Sequence, residues 1–392
     1  MFASNGKISI RQIKRLMLFN IFGISSLMLP QMLAAESGLD GATAILVFND
    51  AVQVSYIYKA GKPNPANYRK AMEQMGTDYY GYLKSAFGRV GSDLCCIFYF
   101  FYSVCLSGFA AYSICQIIVK HLLRDESFAL VLLVLLVTGA YGVYGGLECR
   151  GRVYEILFTL LAVLLFLMLA LSISNVEPDR LSPVFYSDGM AFLKSSYLSF
   201  GFFSLIFFVL FLKPYCVGKE KLSAAMGKIL FLLGILLCVI YLILTGVFGS
   251  RALADIPAAI ITLMSMVEIP GGFLERLDAA MVGLWFFAIY ALMDNTIFYA
   301  VDIFMNTLKV GRKRYPALLT LFLVYAVAAE CQNSIFFLNL LKQLFCYVGI
   351  PLVVLIPLLA WGRMKGGKRD EEKNLDTTFV RNFTVFRRVR QQ

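Results

Sequence analysis

Ten apolar stretches, each near the length needed to cross a lipid bilayer, constrain the fold of this chain more than any other feature. A transmembrane helix requires about 20 predominantly apolar residues. Only 16% of the 392 residues are charged, against about 25% in soluble domains. The sequence therefore predicts an all-α integral membrane protein of ten transmembrane helices. In chain order the predicted spans cover residues 13–35, 41–58, 93–119, 128–143, 153–173, 191–212, 229–248, 279–303, 315–329 and 344–361.

The 36 lysines and arginines indicate how these spans are oriented. If the amino terminus is cytoplasmic, all but seven basic residues lie on cytoplasmic segments, as the positive-inside rule requires. The seven on the opposite side are Lys120, Arg124, Arg180, Lys194, Arg251, Arg276 and Lys342. Both termini are thus predicted to be cytoplasmic, and the net charge of +11 serves topology and contact with the bilayer, not nucleic acid. A cleaved signal peptide ending near Ala34 is the alternative, but its removal would invert the bias.

The domain organisation follows from the spans. Residues 1–365 are predicted to form a single ten-span domain, and residues 366–392 a basic cytoplasmic tail. Ten spans divide into five plus five with opposite topology, as in inverted-repeat transporters, with repeats at about 7–175 and 190–362. Residues 258–267 are apolar but too short to cross, and we expect a helix lying over the external face.

A glycine lies near the middle of the first span of each half, Gly23 in span one and Gly201 in span six. Glycine with neighbouring small hydroxyls weakens a helix, and we expect both spans to be unwound there. The freed backbone groups and half-helix dipoles would suit the carboxylate and ammonium of an amino acid. Close packing of helices through small residues is the alternative interpretation.

The predicted ligand-binding residues surround these two glycines. Span three would add an aromatic and a hydroxyl side chain, and span eight a carboxylate. The set comprises Gly23, Ile24, Ser25, Ser26, Tyr102, Ser103, Ser199, Phe200, Gly201, Ser204 and Asp294.

Acidic residues inside spans are costly unless paired or hydrated. Asp50 lies halfway along span two and Asp294 halfway along span eight. Each is a candidate ion or proton site, or a partner for a ligand's amino group; the alternative is a buried, hydrogen-bonded acid that fixes helix packing. Asp302 and Glu155 lie near the cytoplasmic surface and are predicted to pair with basic residues.

The sequence gives little support to an enzyme. Its single histidine, His121, offers no cluster for metal binding or proton relay. It also has no nucleophile elbow or phosphate-binding loop. We therefore expect neither catalytic residues nor a metal or cofactor.

Three short motifs resemble the spore germination permeases, the B subunits of spore germinant receptors. They are Ile-Ser-Ile-Arg-Gln at residues 8–12, Tyr-Gly-Gly-Leu-Glu at 144–148 with Arg152, and Phe-Leu-Glu-Arg-Leu-Asp-Ala at 273–279 with Trp285. The resemblance extends over roughly residues 7–365. Independently of it, Glu275, Arg276 and Asp278 are predicted to form a structural ion-pair network at the start of span eight, because arginine offers a bidentate fork to carboxylates. Glu148 and Arg152 are predicted to form a second structural pair.

The resemblance implies a LeuT-like fold of the amino acid/polyamine/organocation superfamily, with a nutrient sensed between spans one, three, six and eight. It implies a membrane A subunit and a lipoprotein C subunit as partners, and the spore inner membrane as the location. The leading hypothesis is thus a nutrient-sensing subunit of a spore germinant receptor that binds a small germinant, such as an amino acid. The alternative is a proton- or cation-coupled amino-acid transporter that uses the same pocket.

Overall fold

The computed structural model describes residues 6–48, 79–123, 126–183, 186–218, 221–266 and 277–349, together with 355–357, 359–360 and 362–363. These residues are almost entirely helical, with one pair of two-residue strands. The secondary structure therefore agrees with the predicted all-α membrane protein.

In the first half of the chain the described residues form one strand and four helices, with short 3₁₀ and π turns between them. They are β1 (Ile8–Ser9), α1 (Ile10–Ser37), a 3₁₀ turn (Gly38–Asp40), α2 (Gly41–Phe48), α3 (Tyr79–Ile117), a π turn (Ile118–Leu122), α4 (Phe128–Ser172) and two further 3₁₀ turns (Ile173–Asn175 and Pro178–Leu181).

The second half contains the other strand and eight described helices. They are α5 (Gly189–Phe203), a 3₁₀ segment (Ser204–Phe208), α6 (Val209–Leu212), a 3₁₀ turn (Lys213–Tyr215), β2 (Cys216–Val217), α7 (Leu222–Phe248), α8 (Ser250–Asp255), α9 (Ala259–Met266), α10 (Leu277–Leu308), α11 (Arg314–Asn333), α12 (Ile335–Gln343) and a π turn (Leu344–Val348).

Seven helical stretches among the described residues are long and apolar enough to cross a membrane. One of them, Phe128–Asn175, contains both predicted spans four and five. These are separate helices that meet at Gly146, whose backbone angles of φ 75° and ψ −178° are not helical and favour glycine. The total of ten stays a prediction, because parts of predicted spans two and ten fall outside the described residues.

The entry into α1 is fixed by a capping box and by the strand pair. The backbone N–H of Gln12 donates to Ser9 Oγ at 3.3 Å, and the N–H of Ser9 donates to Gln12 Oε1 at 3.0 Å. Both bonds satisfy donors that a helix start leaves open. Ile8 pairs in parallel with Cys216, so the start of α1 is tied to the chain that follows span six.

Helix α10 lies at the centre of the bundle and packs against α1, α3, α4 and α11. Its fully buried residues include Trp285, and buried polar contacts hold it to its neighbours. Asn295 Nδ2 donates to Asn20 Oδ1 of α1 at 2.7 Å, and Ser107 Oγ of α3 donates to Thr296 Oγ1 at 2.7 Å. Buried polar groups need such partners, and these bonds fix the register of α10 against α1 and α3.

A short helix forms where the sequence predicted one at 258–267. Helix α9 contacts α1, α7 and α10, and its residues Ile260 and Leu263 are buried. The apolar stretch is therefore a helix packed onto the ends of membrane helices.

A short helix that the sequence did not predict precedes the last predicted span. Helix α12 starts at Ile335, where Ser334 Oγ accepts a hydrogen bond from the N–H of Phe337 at 3.2 Å. Lys342, which was assigned to a loop, lies in the last turn of α12. The span at residues 344–361 stays a prediction, because part of it lies outside the described residues.

Candidate functional site

A small, mainly apolar cavity, partly open to the outside, lies between four helical segments of the bundle. Helices α1, α3 and α5 form its walls, together with the α12 segment and the π turn after it. Its lining residues are Ile24, Met28, Met32, Tyr102, Leu106, Phe109, Leu198, Gly201, Phe202, Leu205, Lys342 and Phe345. Small-molecule sites are commonly apolar concavities with few polar groups, which makes this cavity the candidate ligand site.

Three of the predicted ligand-binding residues line this cavity: Ile24, Tyr102 and Gly201. They come from α1, α3 and α5, the helices of predicted spans one, three and six. The phenol ring of Tyr102 stacks near Phe208, with ring centroids 6.4 Å apart, and meets Phe345 edge-on at 5.9 Å. The sequence therefore identified three of the four walls but not the one formed by α12.

The expected unwinding at Gly23 is wrong, because α1 is helical from Ile10 to Ser37. A Cβ atom at position 23 would lie 2.8 Å from the backbone C and O atoms of Ala288 and 3.0 Å from the backbone N of Ile289. Glycine is needed here because the backbones of α1 and α10 approach closely. The alternative interpretation, close helix packing through small residues, is the one that the structure supports.

Gly23→Ala is therefore expected to destabilise the protein by about 1–3 kcal/mol, because the added methyl group must separate two backbones. The measurement is the thermal unfolding midpoint of the purified protein in detergent. Gly283→Ala in α10 is the matched control: a Cβ at Gly283 meets nothing within 4 Å, so alanine should leave stability unchanged or slightly raise it. Equal midpoints for the two variants would contradict the close-packing interpretation.

Span six does depart from α-helical geometry, but beyond Gly201. Helix α5 ends at Phe203 and continues as the 3₁₀ segment Ser204–Phe208. The Ser204 hydroxyl donates to the carbonyl of Gly201 at 2.6 Å, whereas Ser199 Oγ is buried without a hydrogen-bond partner among the described residues. Phe200 is half-buried on α5. The predicted break is thus a tightened helix, not an unwound strand.

The predicted hydroxyl ligands on α1 and α3 are engaged elsewhere. Ser25 Oγ donates to the carbonyl of Ile21 at 2.5 Å, and Ser103 Oγ donates to that of Tyr99 at 2.8 Å. Ser26 Oγ accepts a hydrogen bond from Nε1 of the buried Trp285 at 2.9 Å. Their direct role in ligand binding stays a prediction.

Aromatic side chains fill the bundle between the cavity and the β1–β2 pair. Tyr99 stacks on Phe207 with ring centroids 4.7 Å apart, and Phe208 stacks on Tyr299 at 4.5 Å. Phe211 meets Tyr79 edge-on at 5.1 Å. On the opposite side, where α1 ends, Ser195 Oγ donates to Ser37 Oγ at 2.7 Å. The rings between α3 and the 3₁₀ segment therefore close the cavity toward the strand pair.

Asp294 lies outside the cavity in a buried ion pair with Arg150 of α4. Arg150 Nε donates to Asp294 Oδ2 at 2.6 Å and Nη2 donates to Oδ1 at 2.8 Å, while the hydroxyl of Tyr154 donates to Oδ2 at 2.9 Å. The two charged side chains are 3% and 4% exposed, and the guanidinium lies 4.6 Å from the ring centroid of Phe298. Both oxygens of the carboxylate are thereby occupied, and the pair joins α4 to α10.

The geometry around this pair leaves little room for a further ligand. A Cβ atom at Gly142 would collide with Asp294 Oδ1, so a glycine is required beside the carboxylate. The role of Asp294 as an ion or proton site stays a prediction. Within the described ranges, no three His, Cys, Asp or Glu side chains come together in a group that could hold a metal ion.

Other predicted acids have partners near the helix ends. Glu155 pairs with Arg15 at 2.5 Å, as expected. Asp302 accepts hydrogen bonds from the hydroxyls of Tyr80 at 3.1 Å and Tyr215 at 3.0 Å. Each of these contacts joins segments that are distant in sequence.

The predicted structural ion pairs are described only in part. Glu148 and Arg152 form an ion pair at 2.5 Å on the surface of α4. Asp50, Glu275 and Arg276 lie outside the described residues, as does the side chain of Asp278. The network at the start of span eight therefore stays a prediction.

Sequence reasoning missed two charged residues, Arg150 and Lys342, because both were assigned to loops. The useful signal for Arg150 was the unpaired acid Asp294 at mid-span, which required a basic partner. For Lys342 it was the amphipathic spacing of residues 335–343, which would have extended span ten toward its amino end.

Comparison with known protein families gives a match over most of the chain. A model described as "Spore germination protein" matches residues 7–335. Spore germination protein B2 of Bacillus subtilis (strain 168) is 22% identical over 277 residues, which cover 69% of this chain and 74% of that protein. Spore germination protein YndE of the same organism is 22% identical over 302 residues, covering 74% of this chain and 80% of that protein.

Solved transporter structures share the fold. MhsT, solved in complex with L-phenylalanine, has a TM-score of 0.64 at 13% identity, with 89% of this chain and 88% of MhsT covered. A Na⁺-coupled sialic acid symporter in a substrate-bound outward-open state has a TM-score of 0.61 at 11% identity, covering 88% and 77% of the two chains. These similarities confirm the predicted LeuT-like fold. With the family match they indicate a non-enzymatic integral membrane protein. The chain belongs to the spore germination protein family of membrane permeases.

Proposed function

We propose that this chain is the nutrient-sensing membrane subunit of a spore germinant receptor, and that a small germinant, an amino acid, binds in the cavity lined by Ile24, Tyr102 and Gly201. The observation that carries the proposal is this mainly apolar cavity between α1, α3, α5 and α12, in a chain of the spore germination family with a LeuT-like fold. An apolar lining with few polar groups is typical of small-molecule sites.

The position of the cavity supports a sensing mechanism. It is walled by α1, α3, α5 and α12, which belong to both halves of the chain. A ligand that contacts both halves can have different affinities for two arrangements of the bundle, and only such a difference shifts the populations. The aromatic rings of Tyr99, Phe207 and Phe208 close one side of the cavity, and their rearrangement is the movement that we propose partner subunits detect.

The rival function is amino-acid transport coupled to a proton or cation, and the likeness of the fold to solved transporters supports it. Of the two acids suggested for coupling, Asp294 is held by Arg150 and Tyr154 through three hydrogen bonds. A cation or proton that used Asp294 would have to displace a bidentate guanidinium in a buried site. This arrangement favours the receptor over a transporter driven through Asp294.

The proposed setting follows from the family. We place the protein in the spore inner membrane with both termini in the cytoplasm, together with a membrane A subunit and a lipoprotein C subunit. The basic residues on the predicted cytoplasmic side support that orientation. Purification of the chain from spores with its associated proteins tests the partners directly.

Binding and transport can be separated with the full-length chain. In detergent, a panel of amino acids is screened by the shift of the thermal unfolding midpoint; a ligand at 100 times its Kd stabilises by about 2.7 kcal/mol. The amino acid that binds is then tested for uptake and counterflow in proteoliposomes with a pH or Na⁺ gradient, and for triggering cation release from spores. We expect binding and triggering without gradient-driven uptake. Accumulation driven by either gradient would instead establish the transporter.

A further inference from the structure

Lys342 places a positive charge in the wall of the apolar cavity. It lies in the last turn of α12, is half-buried, and lines the cavity one turn before Phe345. The other residues that line the cavity are apolar or aromatic, or are glycine, so Lys342 is the charged member of the lining. A lysine stem packs along apolar surface while its ammonium group seeks a polar partner.

The partner of this ammonium group is not an acidic side chain within the described ranges. No described carboxylate lies within 4.0 Å of Lys342, whereas Lys194, on α5, pairs with Glu36 at 3.7 Å. A positive charge in an apolar wall without a carboxylate is suited to an anionic ligand group, because such charge-assisted contacts are among the stronger hydrogen bonds.

The backbone provides no competing anion site in the cavity. Helix α1 is continuous past Ile24 and Met28, so its N–H groups are used within the helix. At the end of α5 the N–H of Ser204 bonds to the carbonyls of Phe200 and Phe202. A ligand carboxylate in the cavity would then depend on Lys342 for its counter-charge, because Lys342 is the charged residue among those that line it.

We propose that Lys342 binds the carboxylate of the ligand and that the rest of the cavity selects an apolar side chain. The ligand class is then an amino acid or related monocarboxylate with an aliphatic or aromatic body. Ile24, Leu106, Leu198 and Leu205 offer that body apolar contact, and Phe109 and Phe345 offer ring faces. This inference rests on the proposed function, because it concerns the ligand of the same cavity.

The test compares Lys342→Gln with the wild-type protein, using purified full-length chain. The probes are L-valine, L-leucine and L-phenylalanine, each paired with its decarboxylated amine: isobutylamine, isoamylamine and phenethylamine. Lys342→Gln should weaken binding of the amino acids about 10- to 100-fold, the range of a hydrogen bond to a charged group. Lys342→Arg should retain most of the affinity, and the amines should bind weakly to both wild-type and glutamine forms.

Lys194→Gln is the matched control, since it removes a lysine on α5 that does not line the cavity and should leave affinity unchanged. Unliganded unfolding midpoints show that each variant folds. Equal amino-acid affinity of wild type and Lys342→Gln, or equal affinity of wild type for the amines, overturns the inference.

The proposed function fails separately. If Lys342→Gln loses amino-acid binding but spores carrying it still germinate normally in response to the same amino acid, the role of Lys342 stands and the sensing role does not. If no amino acid of the panel binds the wild-type protein, both are overturned.

Discussion

Replacing Arg150 or Asp294 by alanine is expected to destabilise the protein by about 3–5 kcal/mol, because either change leaves a buried charge without its partner. Both side chains are at most 4% exposed. Without Asp294, Arg150 keeps the ring of Phe298 beside it; without Arg150, Asp294 keeps the hydroxyl of Tyr154. The measurement is the free energy or midpoint of unfolding in detergent, together with the amount of protein recovered from the membrane.

Arg152→Ala is the matched control, two residues further along the same helix. Arg152 pairs with Glu148 at 2.5 Å, but its side chain is 50% exposed, and such surface pairs contribute about 0–1 kcal/mol. The double variant Arg150→Met with Asp294→Leu should recover most of the stability lost in the single variants, because well-packed apolar residues can replace a buried pair. Losses of similar size for Arg150→Ala and Arg152→Ala would refute the structural role of the buried pair.

The double variant also separates structure from ion coupling. If Asp294 only joins α10 to α4, the double variant that folds should still bind its ligand. If ligand binding or transport by that variant loses its dependence on pH or Na⁺, Asp294 is a coupling site, as the transporter hypothesis requires. The same set of proteins therefore tests both interpretations of the one acidic residue that the sequence placed at the centre of span eight.

The fold could be predicted from the sequence because lipid imposes long apolar helices. Eight predicted spans, one and three to nine, overlap described helices over more than half their length, whereas parts of spans two and ten lie outside the described residues. The break at Gly146 lies between predicted spans four and five, and α9 lies where the sequence predicted a short external helix. Helix α12 was not predicted, because Lys342 lowers the hydropathy of residues 335–343 and favoured a loop; in the structure a helix begins there at Ile335.

The site was harder to predict because hydropathy is blind to the direction of a side chain. Gly23 and Gly201 occupy similar depths in their spans, yet Gly23 faces the backbone of Ala288 and Gly201 faces the cavity. Ser26 and Ser103, which sequence alone offered as ligands, satisfy their hydroxyls within the protein. Only the packing of α1 against α10 decides which glycine is structural and which belongs to the cavity.

Arg150 and Lys342, which the sequence did not place correctly, illustrate the same limit. Arg150 was assigned to a loop because isolated charges are excluded from lipid, but a guanidinium paired with Asp294 is buried at 3% exposure. Lys342 was assigned to the outer surface, but its stem lies along the cavity wall. A charged residue near the end of a predicted span should therefore not be assigned to solvent at once. An unpaired opposite charge inside a neighbouring span, or a cavity nearby, can bury it instead.

Gly201→Trp is expected to weaken ligand binding at least about 100-fold, because an indole placed in the cavity occupies the volume that the ligand needs. A ligand forced against the indole would lose about 2.8 kcal/mol or more of binding free energy, which corresponds to 100-fold. Gly201 lines the cavity, and its α-carbon carries no side chain that would have to be displaced. The unliganded unfolding midpoint of Gly201→Trp is measured alongside, so that a loss of ligand binding can be distinguished from a loss of folding. Gly23→Trp is no substitute for this test, because a side chain at position 23 meets the backbone of Ala288 and would disrupt the fold.

Gly189→Trp is the matched control: it makes the same replacement in the same helix, where a Cβ atom meets nothing within 4 Å, and it should bind ligand normally. In spores, Gly201→Trp at normal abundance should abolish nutrient-triggered cation release, whereas Gly189→Trp should not; release that persists in Gly201→Trp spores would place the germinant elsewhere in the molecule.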